Sequence, residues 1–376
     1  MRKVNVALVG LGFGAAFLDI YREHPGVGTV GVFDPSEEVM SRISSTRPDV
    51  RLYTSYEEIL SDPQVDAIHL VTPIPLHAKQ TVQALRAGKH CACTVPMATT
   101  LEDLQLICNT VRETGKKYML METTLYTYQY FYVKGMLERG ELGRIQFMRG
   151  SHYQDMLDWP EYWMGLPPMY YGTHAIAPMV GLSGSRIQRV HCFGSGSMAE
   201  DLVEKYGNPF PVECAIFDFE NGMKGEATRS LFETARAYQE GMFIYGSKAS
   251  FEWGFRDGDN PYITTLLPLE PGRRGADCVV TQVELPNPYH SLPEGIQHHT
   301  VGDLFDPLNP HEALEKGAGG GHHGSHPHLV HEFVSSILED RRPWIDEHMG
   351  ANITGAGICA HLSAMKNGEA VEVPRF

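Results

Sequence analysis

The chain has 376 residues, of which 42% are hydrophobic, and its 31 Lys and Arg against 46 Asp and Glu leave a net charge of −15. This length favours two packed domains, and the acidic balance argues against nucleic acid or an anionic membrane as a partner. No apolar run reaches transmembrane length and the seven cysteines are typical of reduced thiols, so we expect a cytoplasmic protein.

The first predicted element is a strand that runs directly into a glycine-rich turn, in the segment VALVGLGFGAA at residues 6–16. Gly10 permits a tight strand-to-helix turn, Gly12 lets backbone N–H groups approach a diphosphate, and Ala15 allows close packing of helix on strand. The diphosphate would lie at the positive end of that helix. The pattern therefore predicts a dinucleotide-binding turn.

Asp34 follows the second apolar strand, residues 28–33. A carboxylate at this position accepts hydrogen bonds from the hydroxyls of the adenosine ribose and repels a 2′-phosphate. Hydrogen bonds to charged groups contribute roughly 1.5–3 kcal/mol net. The predicted cofactor is therefore NAD rather than NADP.

Strands and helices alternate from residue 1 to about residue 125, which predicts a doubly wound parallel sheet. Its further elements are strands at 65–73, 90–96 and 117–122 and helices at 76–87 and 101–114. Because parallel strand ends meet at one edge, each is expected to contribute cofactor contacts. The predicted cofactor residues are Gly10, Gly12, Phe13, Gly14, Ala15, Asp34, Thr72, Pro73, His77, Thr94, Val95 and Glu122.

The remainder, residues 126–376, is predicted to be a second α/β domain for substrate binding and oligomerisation. After a Tyr-rich helix at 128–139, long alternating runs such as RIQFMRGSHY and VECAIFDFENG predict a large open, mainly antiparallel sheet. The stretch 286–321 is rich in Pro, Gly and His, and we expect a loop bordering the active site or a subunit contact. A closing helix is predicted at 328–339, and we expect a homo-oligomer.

Several segments together resemble the Gfo/Idh/MocA family of NAD(P)-dependent sugar and cyclitol oxidoreductases, over nearly the whole chain. They are VALVGLGFGAA, TPIPLH with His77, the strand ending at Pro96, GELGRI at 140–145, GTHAIAP at 172–178 and the terminal GICAHLSAMKNGEAVEVP. The resemblance implies an N-terminal Rossmann domain followed by an α/β domain with an open sheet. It implies no metal.

Two side chains that the family commonly uses in catalysis are replaced. Where most members have Glu-Lys-Pro, with the lysine moving the proton of the oxidised hydroxyl, this chain has Thr94, Val95 and Pro96. Where members commonly have Gly-x-His-x-x-Asp, this chain keeps Gly172 and His174 but has Ala177 in place of the carboxylate.

One branch is similar in both respects, the NAD-dependent α-N-acetylgalactosaminidases, with Val-Pro at the first site and Tyr-Pro-Thr-His at the second. Here the second segment is Tyr171 to His174, and GHHG at 321–324 resembles a late Gly-His-Gly-Gly of that branch. The branch has asparagine where Thr123 stands, and the segment HYQDMLDWPEYWMGLPPMYYGTH does not align fully with it.

His174 is the first candidate for the catalytic base, because an imidazole titrates near neutral pH; a histidine satisfied in a core turn is the alternative. Tyr171 lies three residues earlier, so both side chains are expected to face one cavity from a first helical turn, unless the phenol is held there only for packing.

Substrate contacts are predicted for His152, Tyr153, Asp155, Trp163 and His322. Aromatic residues at a domain interface would show the same pattern. Histidines 322–331 suggest a metal, but no complete ligand set accompanies them and none is predicted.

Three functions remain open. The first is an NAD-dependent dehydrogenase that oxidises a secondary hydroxyl, the 3-hydroxyl by preference, of a sugar or glycoside. The second is a redox-neutral NAD-dependent glycosidase that combines oxidation, elimination, water addition and reduction. The third is a non-catalytic NAD-binding sensor.

Overall fold

The computed structural model describes residues 2–256, 258–301, 304–306, 309–315 and 321–376. The chain divides into two compact units, one of residues 1–127, 287–351 and 376 and the other of residues 128–286 and 352–375. The sequence-based division at 125/126 placed 287–351 in the second domain instead. These residues join the first unit because a helix within them buries Leu329, Val330 and Phe333 against that unit's elements.

The first unit contains a six-stranded sheet whose neighbouring strands are all parallel. Its strands are β1 (Val4–Val9), β2 (Val27–Phe33), β3 (Arg51–Leu52), β4 (Ala67–Leu70), β5 (His90–Cys93) and β6 (Tyr118–Leu120), in the order β3-β2-β1-β4-β5-β6. The intervening helices are α1 (Ala15–Glu23), α2 (Glu37–Thr46), α3 (Tyr56–Ser61), α4 (His77–Arg86) and α5 (Leu101–Thr114). The predicted doubly wound sheet is confirmed.

The second unit is built on a larger sheet. Its elements in chain order are α6 (Tyr128–Glu138), β7 (Ile145–Tyr153), α7 (Thr173–Ser183), β8 (Ile187–Ser195), α8 (Glu200–Val203), β9 (Val212–Phe219), β10 (Lys224–Ser230), β11 (Gln239–Gly246), β12 (Ala249–Glu252), β13 (Tyr262–Leu266) and β14 (Cys278–Gln282). A 3-10 helix, Pro168–Tyr171, precedes α7.

The chain then returns to the first unit. The stretch predicted as a loop holds two 3-10 helices, Tyr289–Ser291 and Glu294–Thr300, and a hairpin of β15 (Leu304–Asp306) and β16 (Asn309–Glu315). Residues 302–303, 307–308 and 316–320 of that stretch lie outside the described residues. The predicted closing helix is part of α9 (Gly321–Leu338), whose backbone is not helical at 322–324. The chain ends with α10 (Glu347–Ala364) and β17 (Val371–Glu372).

The order of the larger sheet is β14-β13-β12-β11-β7-β10-β9-β8-β17. Among its described pairs, β7 and β10 run parallel, from Gly225 opposite Met148 to Ser230 opposite Tyr153, and the other pairs are antiparallel. The prediction of a mainly antiparallel sheet is confirmed. The parallel pair places two central strands side by side, and α7 packs against β7.

Candidate active site

The three glycines of the β1–α1 turn have different roles. Gly10 has a φ of +88°, and a Cβ atom there would lie 2.4 Å from the carbonyl oxygen of Val71. A Cβ at Gly14 would lie 2.0 Å from the carbonyl oxygen of Gly10, whereas a Cβ at Gly12 would have no described atom within 4 Å. Backbone packing thus leaves no room for a side chain at Gly10 or Gly14, whereas the space next to Gly12 is open. Ala15, for which close packing of helix on strand was predicted, is the first residue of α1.

The carboxylate of Asp34 is oriented by two backbone donors. Its Oδ2 accepts a hydrogen bond from the N–H of Leu11 at 2.7 Å, and its Oδ1 accepts one from the N–H of Ser36 at 2.9 Å. Since each carboxylate oxygen has two lone pairs, both can still accept a hydroxyl. Asp34 is therefore held beside the glycine-rich turn with both carboxylate oxygens able to accept hydrogen bonds from a ribose.

A dinucleotide fits this turn on three grounds of the structure. The space at Gly12 admits a diphosphate, α1 directs its positive end to that space, and Asp34 offers oxygens to the ribose. Phe13 lies between the glycines with 46% of its surface exposed. These residues would hold the dinucleotide.

His77, which the sequence predicts as a cofactor contact, is held by backbone oxygens at two strand ends. The ring is 1% exposed, its Nδ1 lies 2.7 Å from the carbonyl oxygen of Pro96, and its Nε2 lies 2.8 Å from that of Thr72. Both nitrogens are thus engaged with backbone oxygens. His77 ties together the two segments that contain the predicted cofactor residues Thr72, Pro73, Thr94 and Val95.

Glu122 likewise has a local role. The side chain is fully buried, and its Oε1 accepts hydrogen bonds from the N–H of Thr124 at 3.1 Å and from the hydroxyl of Thr124 at 2.9 Å. It caps the 3-10 helix Thr123–Tyr126. Glu122 takes this role because a carboxylate just before a helical turn accepts its first N–H groups. The cofactor contact of Glu122 stays a prediction.

His322 lies beside the glycine-rich turn of the first unit. The ring centroids of His322 and Phe13 are 5.6 Å apart, and Nδ1 of His322 lies 3.3 Å from Nε2 of His326. The sequence grouped His322 with substrate residues that belong to the second unit. Its position next to Phe13 comes from the return of α9 to the first unit.

In the second unit, three of the predicted residues come together. His174, near the start of α7, has its ring centroid 5.4 Å from that of Tyr171, at the end of the preceding 3-10 helix. His152 on β7 lies 4.8 Å from His174, with the rings perpendicular, and 6.3 Å from Tyr171. His152 and His174 are 1% and 4% exposed. We call these residues, with Tyr238, Glu240 and Arg229, the His174 cluster.

Gly150 explains how α7 approaches β7 so closely. A Cβ at this position would lie 1.8 Å from the carbonyl oxygen of Ala175. Only glycine leaves room for the helix backbone against the strand. This contact brings His174, one residue before Ala175, over His152, two residues after Gly150.

Glu240 completes the His174 cluster and was missed from the sequence. It stands opposite His152 in the β11–β7 register. Its Oε1 lies 3.5 Å from Nδ1 of His174 and accepts a 2.6 Å hydrogen bond from the hydroxyl of Tyr238. A signal was available, because Glu240 alternates with the buried Met242 and Ile244, so a carboxylate occupies the inward register of a strand.

Arg229 is fully buried beneath Tyr171. Its guanidinium donates hydrogen bonds to the carbonyl oxygens of Tyr171 (2.9 Å), His152 (3.1 Å) and Ser230 (2.6 Å) and to the side-chain oxygen of Gln154 (3.1 Å). Burial lowers the pKa of Arg229 to about 10, so the group remains a cation near neutral pH. It fixes the backbone at Tyr171 and at His152. Its positive charge favours negative charge on the phenol of Tyr171.

A second buried pair holds the segment before Tyr171. Glu213 is fully buried, its Oε2 accepts the N–H of Met169 at 2.8 Å, and its Oε1 lies 2.7 Å from Nδ1 of His361. The ring of Tyr170 lies 5.3 Å from that of His361. Glu213 and His361 thereby set the position of the 3-10 helix that carries Tyr171.

The remaining predicted substrate residues have different positions. Trp163 is 6% exposed and its ring packs 4.7 Å from that of Tyr171, perpendicular to it. Tyr153 follows His152 on β7, so it faces the other side of the sheet, where Arg236 lies over its ring. Asp155 is exposed and accepts the N–H of Leu157 in a turn. Trp163 supports the cluster. Tyr153 lies away from it because of strand alternation, and Asp155 because it lies in the exposed turn after β7.

The cluster combines two buried imidazoles, a buried carboxylate beside His174, two phenols and the buried guanidinium of Arg229. Such a carboxylate orients an imidazole and stabilises its protonated form. The arrangement can therefore accept a proton from a hydroxyl and return it.

The comparisons with known proteins show the family of the chain. Residues 4–122 match the oxidoreductase family with an NAD-binding Rossmann fold, and residues 130–252 match the GFO/IDH/MocA C-terminal domain. The chain belongs to the Gfo/Idh/MocA oxidoreductase family. As a member of this family it is an enzyme, and its Rossmann domain binds NAD.

Relatives of this Gfo/Idh/MocA chain include glycosyl hydrolase family 109 proteins. The one from Saccharopolyspora erythraea is 25% identical over 403 residues, which cover 99% of this chain and 83% of that protein. The one from Porphyromonas gingivalis is 24% identical over 63% of this chain, and the match covers 54% of its own length.

Solved structures share the fold. Levoglucosan dehydrogenase in complex with NADH and levoglucosan superposes with a TM-score of 0.77 at 22% identity, over 99% of this chain and 100% of that one. Myo-inositol 2-dehydrogenase from Lactobacillus plantarum gives 0.74 at 16% identity, with the same coverage. In the described part of the chain, no helix has the length and apolar character needed to cross a membrane.

Proposed function

We propose that this enzyme oxidises a secondary hydroxyl of a sugar or glycoside and that His174 is its base. The observation that carries the proposal is the position of Nδ1 of His174, 3.5 Å from the buried carboxylate of Glu240. An imidazole backed by a carboxylate becomes protonated more easily than an isolated buried one. The substrate proton would be accepted at Nε2, on the opposite side of the ring.

Glu240 and Tyr238 support this proton transfer. The Tyr238 hydroxyl donates its hydrogen to Oε1 of Glu240 at 2.6 Å, which stabilises the ionised carboxylate. The ionised carboxylate in turn stabilises the imidazolium formed when His174 takes the proton. In this respect Glu240 on β11 provides a carboxylate in place of the one that the family has where α7 carries Ala177.

The glycine-rich turn and Asp34 would hold the cofactor in this reaction. Bound NAD supplies the hydride acceptor for oxidation and, in a redox-neutral cycle, the hydride donor for reduction. Because Val95 has no proton to exchange, proton transfer falls to the His174 cluster. Tyr171, beside the Arg229 cation, is the second acid–base group that we propose.

An aromatic loop offers a surface for a sugar ring. Trp159 is 46% exposed, and its ring lies 5.8 Å from that of Trp163, which packs on Tyr171. Aromatic faces carry a large apolar area that suits the C–H groups of a pyranose. We therefore propose that the sugar is bound next to Tyr171.

A second candidate function is a redox-neutral glycosidase, favoured by the Saccharopolyspora erythraea relative that aligns with 99% of this chain. Here oxidation of the 3-hydroxyl makes the neighbouring C–H acidic. A base removes that proton, the aglycone leaves, water adds and the ketone is reduced back. This cycle needs two acid–base groups, and His174 and Tyr171, 5.4 Å apart, provide them.

Incubation of the purified protein with NAD and a panel of sugars and chromogenic glycosides tests both functions. Accumulating NADH supports the dehydrogenase, and aglycone release without NADH accumulation supports the glycosidase. Solvent deuterium entering next to the oxidised carbon would identify elimination. If NAD binds but neither product forms with any member of the panel, the proposal fails.

A further inference from the structure

A compact group of metal-binding side chains lies in the first unit, where α1 ends. Glu23 is the last residue of α1, and His298 and His299 lie on the 3-10 helix Glu294–Thr300. Nε2 of His298 lies 3.1 Å from Oε2 of Glu23, and Nε2 of His299 lies 2.8 Å from the same oxygen. The three ligand atoms all lie within 4.8 Å of one another.

The convergence of the two imidazoles is unusual for consecutive residues. Neighbouring side chains on a helical turn point in different directions, yet these rings lie 4.1 Å apart at an angle of 35°. Both direct Nε2 toward a single carboxylate oxygen. The backbone is also close, because a Cβ at Gly295 would lie 2.9 Å from the carbonyl oxygen of Glu23.

We propose that Glu23, His298 and His299 bind a divalent transition-metal ion such as Zn²⁺. Two imidazoles and one carboxylate are a ligand set that Zn²⁺ takes at three positions, with water at the fourth. With metal–ligand bonds of about 2.0–2.1 Å, tetrahedral ligand atoms lie roughly 3.3 Å apart. The observed spacings of 2.8 and 3.1 Å from Glu23 need only small side-chain rotations to reach this value.

The surroundings favour a cation with coordinated water. The site lies at the C-terminal end of α1, where the helix dipole is negative. The side chains of His298 and Glu23 are 54% and 39% exposed, so water reaches the ion, whereas His299 is 6% exposed and anchors the site. Nitrogen ligands exclude the hard ions Mg²⁺ and Ca²⁺ as preferred occupants.

The ion would join α1 to the segment that returns from the second sheet to the first unit. Since α1 also follows the glycine-rich turn, the ion would brace the helix on which the dinucleotide site depends. A ligand that binds only the folded chain stabilises it in proportion to the logarithm of its concentration over Kd. The metal should therefore raise the Tm of the whole enzyme.

The test uses the full-length enzyme stripped of metal with a chelator and titrated with Zn²⁺ in a calorimeter, followed by Co²⁺ substitution and visible spectroscopy. We expect one ion per chain, a Tm that rises with Zn²⁺ but not with Mg²⁺, and the visible absorption of a low-symmetry Co²⁺ complex. Glu23→Gln keeps a hydrogen-bond acceptor for both histidines, and His298→Ala changes a largely exposed ring. Each should weaken Zn²⁺ binding at least tenfold and, at the same Zn²⁺ concentration, reduce the rise in Tm.

His290→Ala is the matched control, because it removes an exposed histidine from the neighbouring 3-10 helix Tyr289–Ser291. This variant should bind Zn²⁺ like the unchanged enzyme. The proposal is overturned if the enzyme takes up no Zn²⁺, or if Glu23→Gln and His298→Ala bind it as tightly as His290→Ala does. Because the readouts are metal binding and Tm, they do not depend on the proposed reaction.

Discussion

The glycine-rich turn and the His174 cluster are built in opposite ways. In the turn, Gly10, Gly12, Gly14 and Asp34 act through backbone space and backbone N–H groups within one strand–helix–strand segment. In the cluster, side chains from three β-strands, from α7 and from the 3-10 helix before it meet through the pairing of distant strands. A site of the first kind can be recognised in a short stretch of sequence, whereas one of the second kind exists only after the sheet has formed.

The sharpest test of the cluster is His174→Ala. If His174 is the base, turnover should fall by roughly 10²–10⁴-fold, the usual contribution of general base catalysis. The turn does not involve this side chain, so the affinity for NAD should stay unchanged. Steady-state kinetics and a fluorescence titration with NAD measure the two effects.

His191→Ala, which changes a histidine on β8 of the same sheet, is the control for this experiment. Its turnover should remain near that of the unchanged enzyme. Retention of more than about a tenth of the activity by His174→Ala would remove His174 from the role of base.

Glu240→Gln should have the next largest effect. The amide is close in size to the carboxylate but has no charge to stabilise a protonated His174. Interactions with charged groups contribute roughly 1.5–3 kcal/mol, so kcat should fall by about one to two powers of ten. The acid limb of the pH profile of kcat should also move to lower pH, because the imidazolium is less stable without the carboxylate and loses its proton more readily. A variant with reduced kcat but an unmoved profile would indicate a purely structural role for Glu240.

The fold was largely predictable because its signals are local. The predicted helix at 101–114 is observed as α5 with the same bounds, since Thr100 caps its start through the N–H of Asp103 and Gly115 ends it with a φ of +65°. The predicted strand at 117–122 is shorter, Tyr118–Leu120, because Glu122 already caps the next turn.

The site was predictable only in part. Asp34 and the glycines follow from spacing along the chain, and the sequence also identified Tyr171 and His174, which the fold places together. Glu240 lies far beyond His174 along the chain, and only the pairing of β11 with β7 brings it near. The backbone contacts of both ring nitrogens of His77 were not predicted, because the sequence around a strand end carries no signal for them.

Asp34→Ala tests the role of the glycine-rich turn and its carboxylate in the choice of coenzyme. Without the carboxylate, NAD loses its ribose hydrogen bonds and NADP loses a repulsive charge. The preference for NAD over NADP should fall by roughly one to two powers of ten, since hydrogen bonds to charged groups contribute about 1.5–3 kcal/mol. Dissociation constants for both coenzymes measure it, and an unchanged ratio would contradict the assignment of Asp34 to the ribose.

Gly12→Ala and Gly14→Ala separate cofactor space from packing within the same turn. The methyl group at residue 12 meets no described atom, so Tm should hold while the affinity for NAD drops about tenfold, or roughly 1.4 kcal/mol. The methyl group at residue 14 would clash with the carbonyl of Gly10, so Tm itself should fall. Thermal unfolding without NAD and titration with NAD distinguish them, and equal losses of Tm would refute the distinction.

Acid should act on the first unit through buried histidines, while the buried Arg229 of the second unit keeps its charge. Burial lowers the pKa of His90 and His328 to about 4 and that of His69 to about 3. The unfolded chain, with histidine pKa values near 6.5, therefore binds protons first as the pH falls. The stability present above about pH 6.5 is lost progressively toward pH 4.

His90→Gln keeps an acceptor for the N–H of Lys117, which His90 binds at 3.0 Å. It should flatten the fall of Tm between about pH 7 and pH 5, whereas His290→Gln, at an exposed position, should leave it as steep as before.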